Sequence, residues 1–280
     1  EFAGYDLTLT PARCAALEFA ADAATLTLED GRTLNARLIV GADGRDSWVR
    51  AQAGIEARPR AYGQKGVVAN FATEKPHHGC AQQWFREDGI LAYLPLPGER
   101  MSMVWSTWDE AADALAALPA EELAARVAEA GRHALGALRV ITPAQAFPLR
   151  LLNVGSLVKP RLALVGDAAH NVHPLAGYGV NLGFEDAKTL AQVLAARAPE
   201  TDCGSYSLLR RYDRARQEAI VAMQLTTDAL QKLFNNPNPA LRLARNAGLA
   251  FTDRLGWLKN RLVRHALGSE SSAFSGAANQ

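Results

Sequence analysis

Cysteine is scarce in this sequence. Only three occur, Cys14, Cys80 and Cys203, and no two of them have the C-x-x-C spacing. An odd number of widely separated thiols excludes the disulfide framework of a small secreted domain and offers no paired ligands for zinc. The composition therefore favours a protein of a reducing compartment, and we expect a cytoplasmic location.

Long apolar runs and excess charge are missing as well. No run approaches the roughly 20 apolar residues that a membrane-spanning helix needs, and residues 1–10 lack the basic and apolar regions of a signal peptide. The formal net charge of the 280 residues is only +1, so nucleic acid is not an expected partner. The chain is 49% hydrophobic, which is enough to bury the core of one large or two moderate domains.

Alternation of apolar and polar residues predicts two groups of strands. Residues 15–44 read as a hairpin that turns at Asp30-Gly31 and is followed by a buried strand at residues 38–40. Residues 65–108 contain four further strand-like segments separated by Gly, Pro and charged turns. These segments predict one antiparallel sheet.

Helical spacing dominates the rest of the chain. Residues 118–131 have acids in the first turn and Gly131 at the C-cap position. Another helix is predicted to end near Pro199, and residues 205–267 are helical in pattern with a break at residues 235–239.

Residues 161–186, RLALVGDAAHNVHPLAGYGVNLGFED, carry most of the chemistry. Asp167 follows a predicted core strand, where ligands bind in open α/β sheets, and its carboxylate can accept hydrogen bonds from sugar-like hydroxyls. Gly177 and Gly179 remove side chains where a flat ring could lie against the backbone, and Pro174 restricts the loop. The N-terminus of the following helix favours negative charge on a ligand. This segment therefore suits a large planar ligand.

The complete pattern, G-D-A-A-H-x-x-x-P-x-x-G-x-G-x-N-x-G, resembles the flavin-contacting motif of class A flavoprotein monooxygenases. The resemblance implies FAD as cofactor, with the Asp on the ribityl chain and the later backbone on the isoalloxazine ring. It assigns seven residues to the cofactor: Gly166, Asp167, Pro174, Gly177, Gly179, Val180 and Asn181. Tyr178 departs from the family, which usually has Gln there. The plain alternative is a tight turn in which Glu185 and Asp186 are ordinary first-turn acids.

A second motif lies at residues 38–50, LIVGADGRDSWVR. It resembles the other internal signature of the same family, whose Asp and Arg help to hold the dinucleotide and receive the nicotinamide donor. The resemblance makes Asp43, Gly44 and Arg50 cofactor-binding residues and includes Ser47. A local alternative is a helix with Asp46 or Ser47 as its N-cap, and both roles can coexist.

Three further segments, at residues 62–69, 84–96 and 208–216, are similar to the ubiquinone-biosynthesis hydroxylases of the 2-octaprenylphenol hydroxylase type. The resemblance implies an FAD-dependent monooxygenase that hydroxylates the aromatic ring of a polyprenylated phenol or quinone precursor. NAD(P)H would reduce the flavin, and O2 would form a flavin hydroperoxide that the phenol attacks. We assign no catalytic residue.

The sheet is expected to supply an apolar wall for the substrate. The candidates for this wall are Trp84, Phe85, Leu91, Tyr93 and Leu94. Strand alternation places about half of them in the core.

No G-x-G-x-x-G turn precedes the motif at residues 38–50, although that turn binds the FAD pyrophosphate in this class. We therefore expect a fragment or degenerate relative with weak FAD binding or none. The fold class is α/β (α+β): an incomplete Rossmann-like FAD-binding domain, an antiparallel-sheet substrate domain and a helical tail. The predicted boundaries are 1–62 with 150–199, then 63–149, then 200–280.

Two other functions stay open. Asp167, His170 and His173 are spaced by three and could form a metal site of the facial-triad type, although the Pro and Gly residues that follow disfavour the helix this needs. A non-catalytic fragment or accessory subunit is the other alternative.

The sequence at residues 251–264 has a basic amphipathic pattern. Such a helix could dock on the anionic surface of the inner membrane or on a biosynthetic complex. Packing of that segment on its own domain is the simpler interpretation.

Overall fold

The structure is a computed structural model that describes residues 7–171 and 179–234. Residues up to Asp228 form one compact unit, to which the following description applies. In chain order the described elements are β1 (Cys14–Phe19), β2 (Ala24–Leu28), β3 (Thr33–Ala36), β4 (Ile39–Gly41), α1 (Trp48–Gln52), β5 (Ala57–Thr73), β6 (Gln82–Arg86), β7 (Gly89–Leu96), β8 (Arg100–Trp108), α2 (Asp109–Ala116), α3 (Ala120–Ala130), β9 (Leu138–Val140), β10 (Gln145–Val154), β11 (Val158–Lys159), β12 (Leu162–Leu164), α4 (Gly179–Ala195) and α5 (Tyr206–Phe234). The predicted mixed α/β class with an antiparallel sheet is confirmed.

Two of the sheets have three strands each. Strands β1, β2 and β3 form an antiparallel meander, with the predicted turn at Asp30-Gly31, where Gly31 has a φ of +84°. Strands β11, β12 and β4 form the other sheet, in which β12 and β4 are parallel neighbours. Parallel pairing of strands so far apart in sequence is what a dinucleotide-binding topology requires.

The largest sheet has the strand order β10-β5-β8-β7-β6, with β9 also paired to β5. Strand β5 begins at Ala57, earlier than the sequence pattern indicated, because its first half pairs with β10. Helices α2 and α3 cover one face, and the predicted C-cap at Gly131 is confirmed. Under them Phe71, Tyr93 and Trp105 are each at most 2% exposed, so this face is a packed core.

The strand register separates the expected substrate wall into two sets. Leu91 and Tyr93 lie on the helix-covered face, and the Tyr93 hydroxyl donates to the carbonyl of Val127 at 2.5 Å. These two candidates therefore belong to the half expected in the core, because α2 and α3 bury them. Phe85 and Leu94 point to the other face and are 48% and 42% exposed.

A second core surrounds β12. Leu162 and Leu164 are fully buried there together with Leu209 and Tyr212 of α5. The hydroxyl of Tyr212 donates to the carbonyl of Leu164 at 2.7 Å, which fixes α5 against the strand. The helical prediction for the tail is confirmed as far as Phe234, and the predicted break at residues 235–239 lies outside the described residues. The three domain boundaries stay a prediction.

An ion cluster at Asp202 predicts how stability depends on pH. Its carboxylate forms salt bridges with Arg161 and Arg37, and the hydrogen bond from Arg161 holds the pKa of Asp202 at about 2, below the ordinary 3.8. A lowered carboxyl pKa stabilises the fold above the unfolded value, and this contribution disappears as pH falls from 3.8 towards about 2. We expect Asp202→Asn to flatten the decline in unfolding free energy over this range, measured by urea titration. An unchanged decline would contradict this assignment.

Candidate functional site

The two motifs meet because their strands are parallel neighbours. Gly41 of β4 pairs with Leu164 of β12, and the amide of Val165 donates to the carbonyl of Gly41 at 3.0 Å. The segments that follow both strands therefore leave the same edge of the sheet. A Cβ at Gly41 would lie 2.8 Å from Leu164 Cδ2 and 3.0 Å from Val49 Cγ1, so any larger residue would have to displace these side chains.

Asp43 organises the first loop. Its Oδ1 accepts from Ser47 Oγ at 2.5 Å, and its Oδ2 accepts from the amide of Val49 at 3.0 Å. Ser47 is the N-cap of α1 and accepts from the amide of Arg50, as the local alternative predicted. The structure thus gives Asp43 a capping role, and its contact with a cofactor stays a prediction. Its neighbour Gly44 lines the cleft described below.

Arg50 joins the two motifs. Its guanidinium is 8% exposed and donates to the carbonyl of Ala168 at 2.8 Å and to the carbonyl of Arg45 at 2.9 Å. These bonds tie the loop after β4 to the loop after β12. A direct contact between Arg50 and a nicotinamide donor stays a prediction, and the geometry favours a positioning role.

Asp167 faces a cleft of about 570 Å³. It follows Gly166, whose φ is +60°, and its exposed carboxylate makes no side-chain hydrogen bond within the part of the chain described. The cleft is lined by Ala42, Gly44, Arg45, Pro148, Leu149, Arg150, Val165, Gly166, Asp167, Asn171, Gly179, Val180, Gly183 and Phe184. An acceptor carboxylate, apolar walls and two arginines thus share one cavity.

The first residues of α4 form part of this cleft. Gly179 and Val180 line it, so the positive end of a 17-residue helix contributes to its wall. Asn181 is exposed on the first turn and lies outside the lining. Pro174 and Gly177 lie outside the described residues, as do His173 and Tyr178.

A buried charge network lies behind the loop. Asp186 of α4 is fully buried and accepts from the amide of Gly166 at 2.9 Å, from His170 Nε2 at 2.6 Å and from Arg216 Nε at 2.6 Å. Burial raises the pKa of Asp186, but the bonds from His170, Arg216 and Gly166 outweigh it and hold the pKa below its usual range. The carboxylate is therefore charged in the native protein.

The sequence interpretation missed several of these residues. Arg45 lies inside the motif at residues 38–50, where its cationic side chain could have been noted. Arg150 comes from β10, and no local pattern links that strand to the cleft. Asp186 ends the motif at residues 161–186, and the sequence offered for it only the plain alternative of an ordinary first-turn acid. Arg216 lies 30 residues further along, and only the fold shows that the two form a pair.

The geometry does not favour the alternative metal site. His170 is 3% exposed, and its Nε2 bonds the buried carboxylate of Asp186, whereas Asp167 faces the open cleft. Among the described residues no group of three His, Cys, Asp or Glu side chains is arranged to hold a metal ion. His170 therefore helps to hold the loop after β12 in place.

Comparison with known proteins defines the class. The FAD binding domain family matches residues 18–228. The chain belongs to this family of FAD-binding proteins.

Two similar relatives are named as hydroxylases. The chain is 42% identical over 262 residues to the ubiquinone hydroxylase UbiL of Rhodospirillum rubrum, covering 93% of this chain and 61% of the relative. It is 39% identical over 250 residues to 3-demethoxyubiquinol 3-hydroxylase of Escherichia coli, covering 88% and 63%. The chain thus spans about three fifths of the length of these relatives. The resemblance to ubiquinone-biosynthesis hydroxylases is confirmed.

Solved structures support the same fold. PqsL of Pseudomonas aeruginosa, a probable FAD-dependent monooxygenase, superposes with a TM-score of 0.69 at 28% identity, covering 80% of this chain and 64% of that one. HpxO of Klebsiella pneumoniae, complexed with FAD and uric acid, superposes with a TM-score of 0.68 at 20% identity, covering 90% and 66%. The second likeness concerns the fold alone.

Proposed function

We propose that this protein is an FAD-dependent monooxygenase that hydroxylates the aromatic ring of a polyprenylated phenol or quinone precursor in ubiquinone biosynthesis, using NAD(P)H and O2. The observation that carries the proposal is the cleft at which the loops after β4 and β12 meet, with Asp167 facing into it. Identity of 42% and 39% to two hydroxylases of this pathway supports the substrate class.

The described residues fit FAD. The carboxylate of Asp167 has free acceptor capacity for the hydroxyls of a ribityl chain, and Gly44 and Gly179 leave room for close approach. The N-terminus of α4 and the side chain of Arg150 favour negative charge on the ligand. When bound, FAD supplies the electron transfer and oxygen activation.

The protein's own residues bind, orient and exclude water. Phe85, Leu94, Val104 and Phe147 share the sheet face opposite α2 and α3, as the register of β5 to β8 and β10 requires. Strand β10 continues from this face into the cleft, because Pro148 directly follows Phe147 and lines the cavity. An apolar ring and its prenyl chain on this face would therefore lie beside the flavin.

The test uses the full-length protein, FAD, NADH or NADPH, and a polyprenylphenol in detergent. With isotopically labelled dioxygen, we expect one labelled oxygen atom in the product, detected by mass spectrometry. An unlabelled oxygen in the product would mean that the atom came from water and would indicate a hydrolytic reaction. Labelled product formed without FAD would indicate a metal-dependent oxygenase. Absence of both FAD binding and product would favour the non-catalytic accessory role.

A leucine pair tests the substrate face. We expect Leu94→Asp to raise the KM for the polyprenylphenol by about tenfold or more, because a buried methylene contributes about 0.8 kcal/mol and a charge opposes burial. The control is Leu34→Asp on β3, where the leucine is equally 42% exposed but belongs to a different sheet. The affinity for FAD should be unchanged in both variants. Equal KM values in both would argue against the assigned face.

The proposal extends to the location of the enzyme and its contact with a membrane. Among the described residues, no helix has the length and hydropathy to cross a bilayer. We place the enzyme in the cytoplasm as a peripheral protein of the inner membrane or of a biosynthetic complex, with contact through the C-terminal residues. Those residues lie outside the part of the chain that the structure describes. The basic amphipathic pattern of their sequence supports the proposal.

A further inference from the structure

The carboxylate of Asp186 joins three separate parts of the chain. Its Oδ2 accepts from the amide of Gly166 in the loop after β12 and from Nε2 of His170 four residues later. Its Oδ1 accepts from Nε of Arg216 on α5 at 2.6 Å. Because a carboxylate only accepts hydrogen bonds, His170 must carry its hydrogen on Nε2.

Stability alone is a poor explanation for this network. Moving a carboxylate and a guanidinium out of water costs several kcal/mol per ion, and well-packed apolar side chains often do as well or better. Asp186 is fully buried, and Arg216 is 6% exposed and also donates to the carbonyl of Leu182. What such a network does provide is a fixed geometry for the groups it holds.

The group held is the turn that presents Asp167. Gly166 has a φ of +60°, and Asp167 is the next residue along the chain. Helix α4 approaches this turn at backbone distance, since a Cβ at Gly183 would lie 3.2 Å from Gly166 Cα. Asp186 lies three residues further along the same helix and bonds the amide of Gly166. Helix and turn are therefore fixed to each other at two adjacent points.

We propose that Asp186 is a positioning residue for the flavin, which holds the Gly166 turn so that the carboxylate of Asp167 faces the ribityl chain. His170 and Arg216 keep the Asp186 carboxylate charged and oriented. Asp186 lines no part of the cleft, so it acts through the turn and not by contact with the ligand. The inference rests on the proposed function, because it presupposes FAD in the cleft.

The informative substitution is Asp186→Asn in the full-length protein. Asparagine has the same shape, but its amide nitrogen is a donor and must face Arg216 or the pair of donors from Gly166 and His170. At least one of these contacts is therefore lost together with the negative charge, and the network holds the turn less firmly. We expect the Kd for FAD to rise about tenfold, as for the loss of one charge-assisted hydrogen bond, with an altered visible circular dichroism of the bound flavin.

The matched control is Asp213→Asn. Asp213 is also a buried carboxylate, it lies on α5, and its Oδ1 accepts from the amide of Leu157 at 2.8 Å. That bond does not reach the flavin loop. We expect Asp213→Asn to lower the Tm while the Kd for FAD and the flavin spectrum stay unchanged.

A second pair of variants tests the inference where Asp186→Asn does not fold. Gln at position 170 can place its amide donor near the position of Nε2, whereas Ala cannot. We expect His170→Gln to retain FAD affinity that His170→Ala loses, which a general packing role would not predict.

The outcomes separate this inference from the proposed function. If Asp186→Asn matches Asp213→Asn in FAD affinity and spectrum, or if both His170 variants behave alike, the positioning role is wrong. In that case the proposed function still stands provided that the unaltered protein binds FAD and hydroxylates its substrate. If the unaltered protein binds no FAD, both fail together.

Discussion

Asp167→Ala is expected to weaken FAD binding by about tenfold to a hundredfold, the equivalent of about 1.5–3 kcal/mol for hydrogen bonds to a charged group. The structure explains why the effect should be confined to the ligand. The carboxylate is exposed in the cleft and makes no side-chain hydrogen bond within the described residues, so its removal leaves no buried partner unsatisfied. The free energy of unfolding of the apoprotein should stay the same.

The measurement is a fluorescence titration of FAD into the full-length protein, with urea unfolding of the apoprotein beside it. Asp46→Ala is the control, because Asp46 is an exposed carboxylate on the loop after β4 that does not line the cleft. Asp167→Asn keeps an acceptor oxygen and should fall between the unaltered protein and Asp167→Ala. Undiminished affinity in Asp167→Ala would contradict the assignment of this cleft.

The local parts of the site could be predicted from the sequence because they depend on near neighbours. Ser47 caps a helix by accepting from the amide of Arg50, only three residues further along the chain. The spacing within the motif predicts this bond directly. Gly31 and Gly131 terminate elements at positions where their residue type is informative. Such features need no knowledge of the fold.

The parts that could not be predicted depend on long-range pairing. The bond between Arg50 and Ala168 joins residues 118 positions apart, and the pair of Asp186 and Arg216 forms only when α4 and α5 pack on β12. Alternation indicated that about half of the substrate-wall candidates lie in the core. It could not show which face α2 and α3 would cover, so it left open whether Leu91 or Leu94 belongs to the core.

These long-range contacts have a common consequence for the site. Arg50 fixes the loop after β4 to Ala168, while Asp186 fixes the Gly166 turn to α4. The cleft is thus built on backbone that is held from both sides, and the exposed side chain of Asp167 is free to meet a ligand. Rigid support of this kind is what an oriented cofactor requires.

Gly89→Ala is expected to destabilise the protein by about 2–6 kcal/mol, because backbone strain and overpacking contribute about 1–3 kcal/mol each. Gly89 opens β7 with a φ of +138° and pairs with Thr107 of β8. A Cβ there would lie 1.8 Å from the carbonyl oxygen of Ser106, which is backbone and cannot rotate away. The pairing between β7 and β8 must open to accept it.

Gly98→Ala is the matched control for the strain alone. Gly98 lies in the turn between β7 and β8 of the same sheet, has a φ of +76°, and a Cβ there would meet nothing within 4 Å. The Gly98→Ala variant should lose only about 1–2 kcal/mol of unfolding free energy, which is the usual cost of the left-handed conformation for a residue with a Cβ. Urea unfolding of both variants measures the difference, and equal losses would contradict a steric role for Ser106. Since β6 and β7 carry Phe85 and Leu94, we also expect Gly89→Ala to raise the KM for the polyprenylphenol under conditions where FAD still binds.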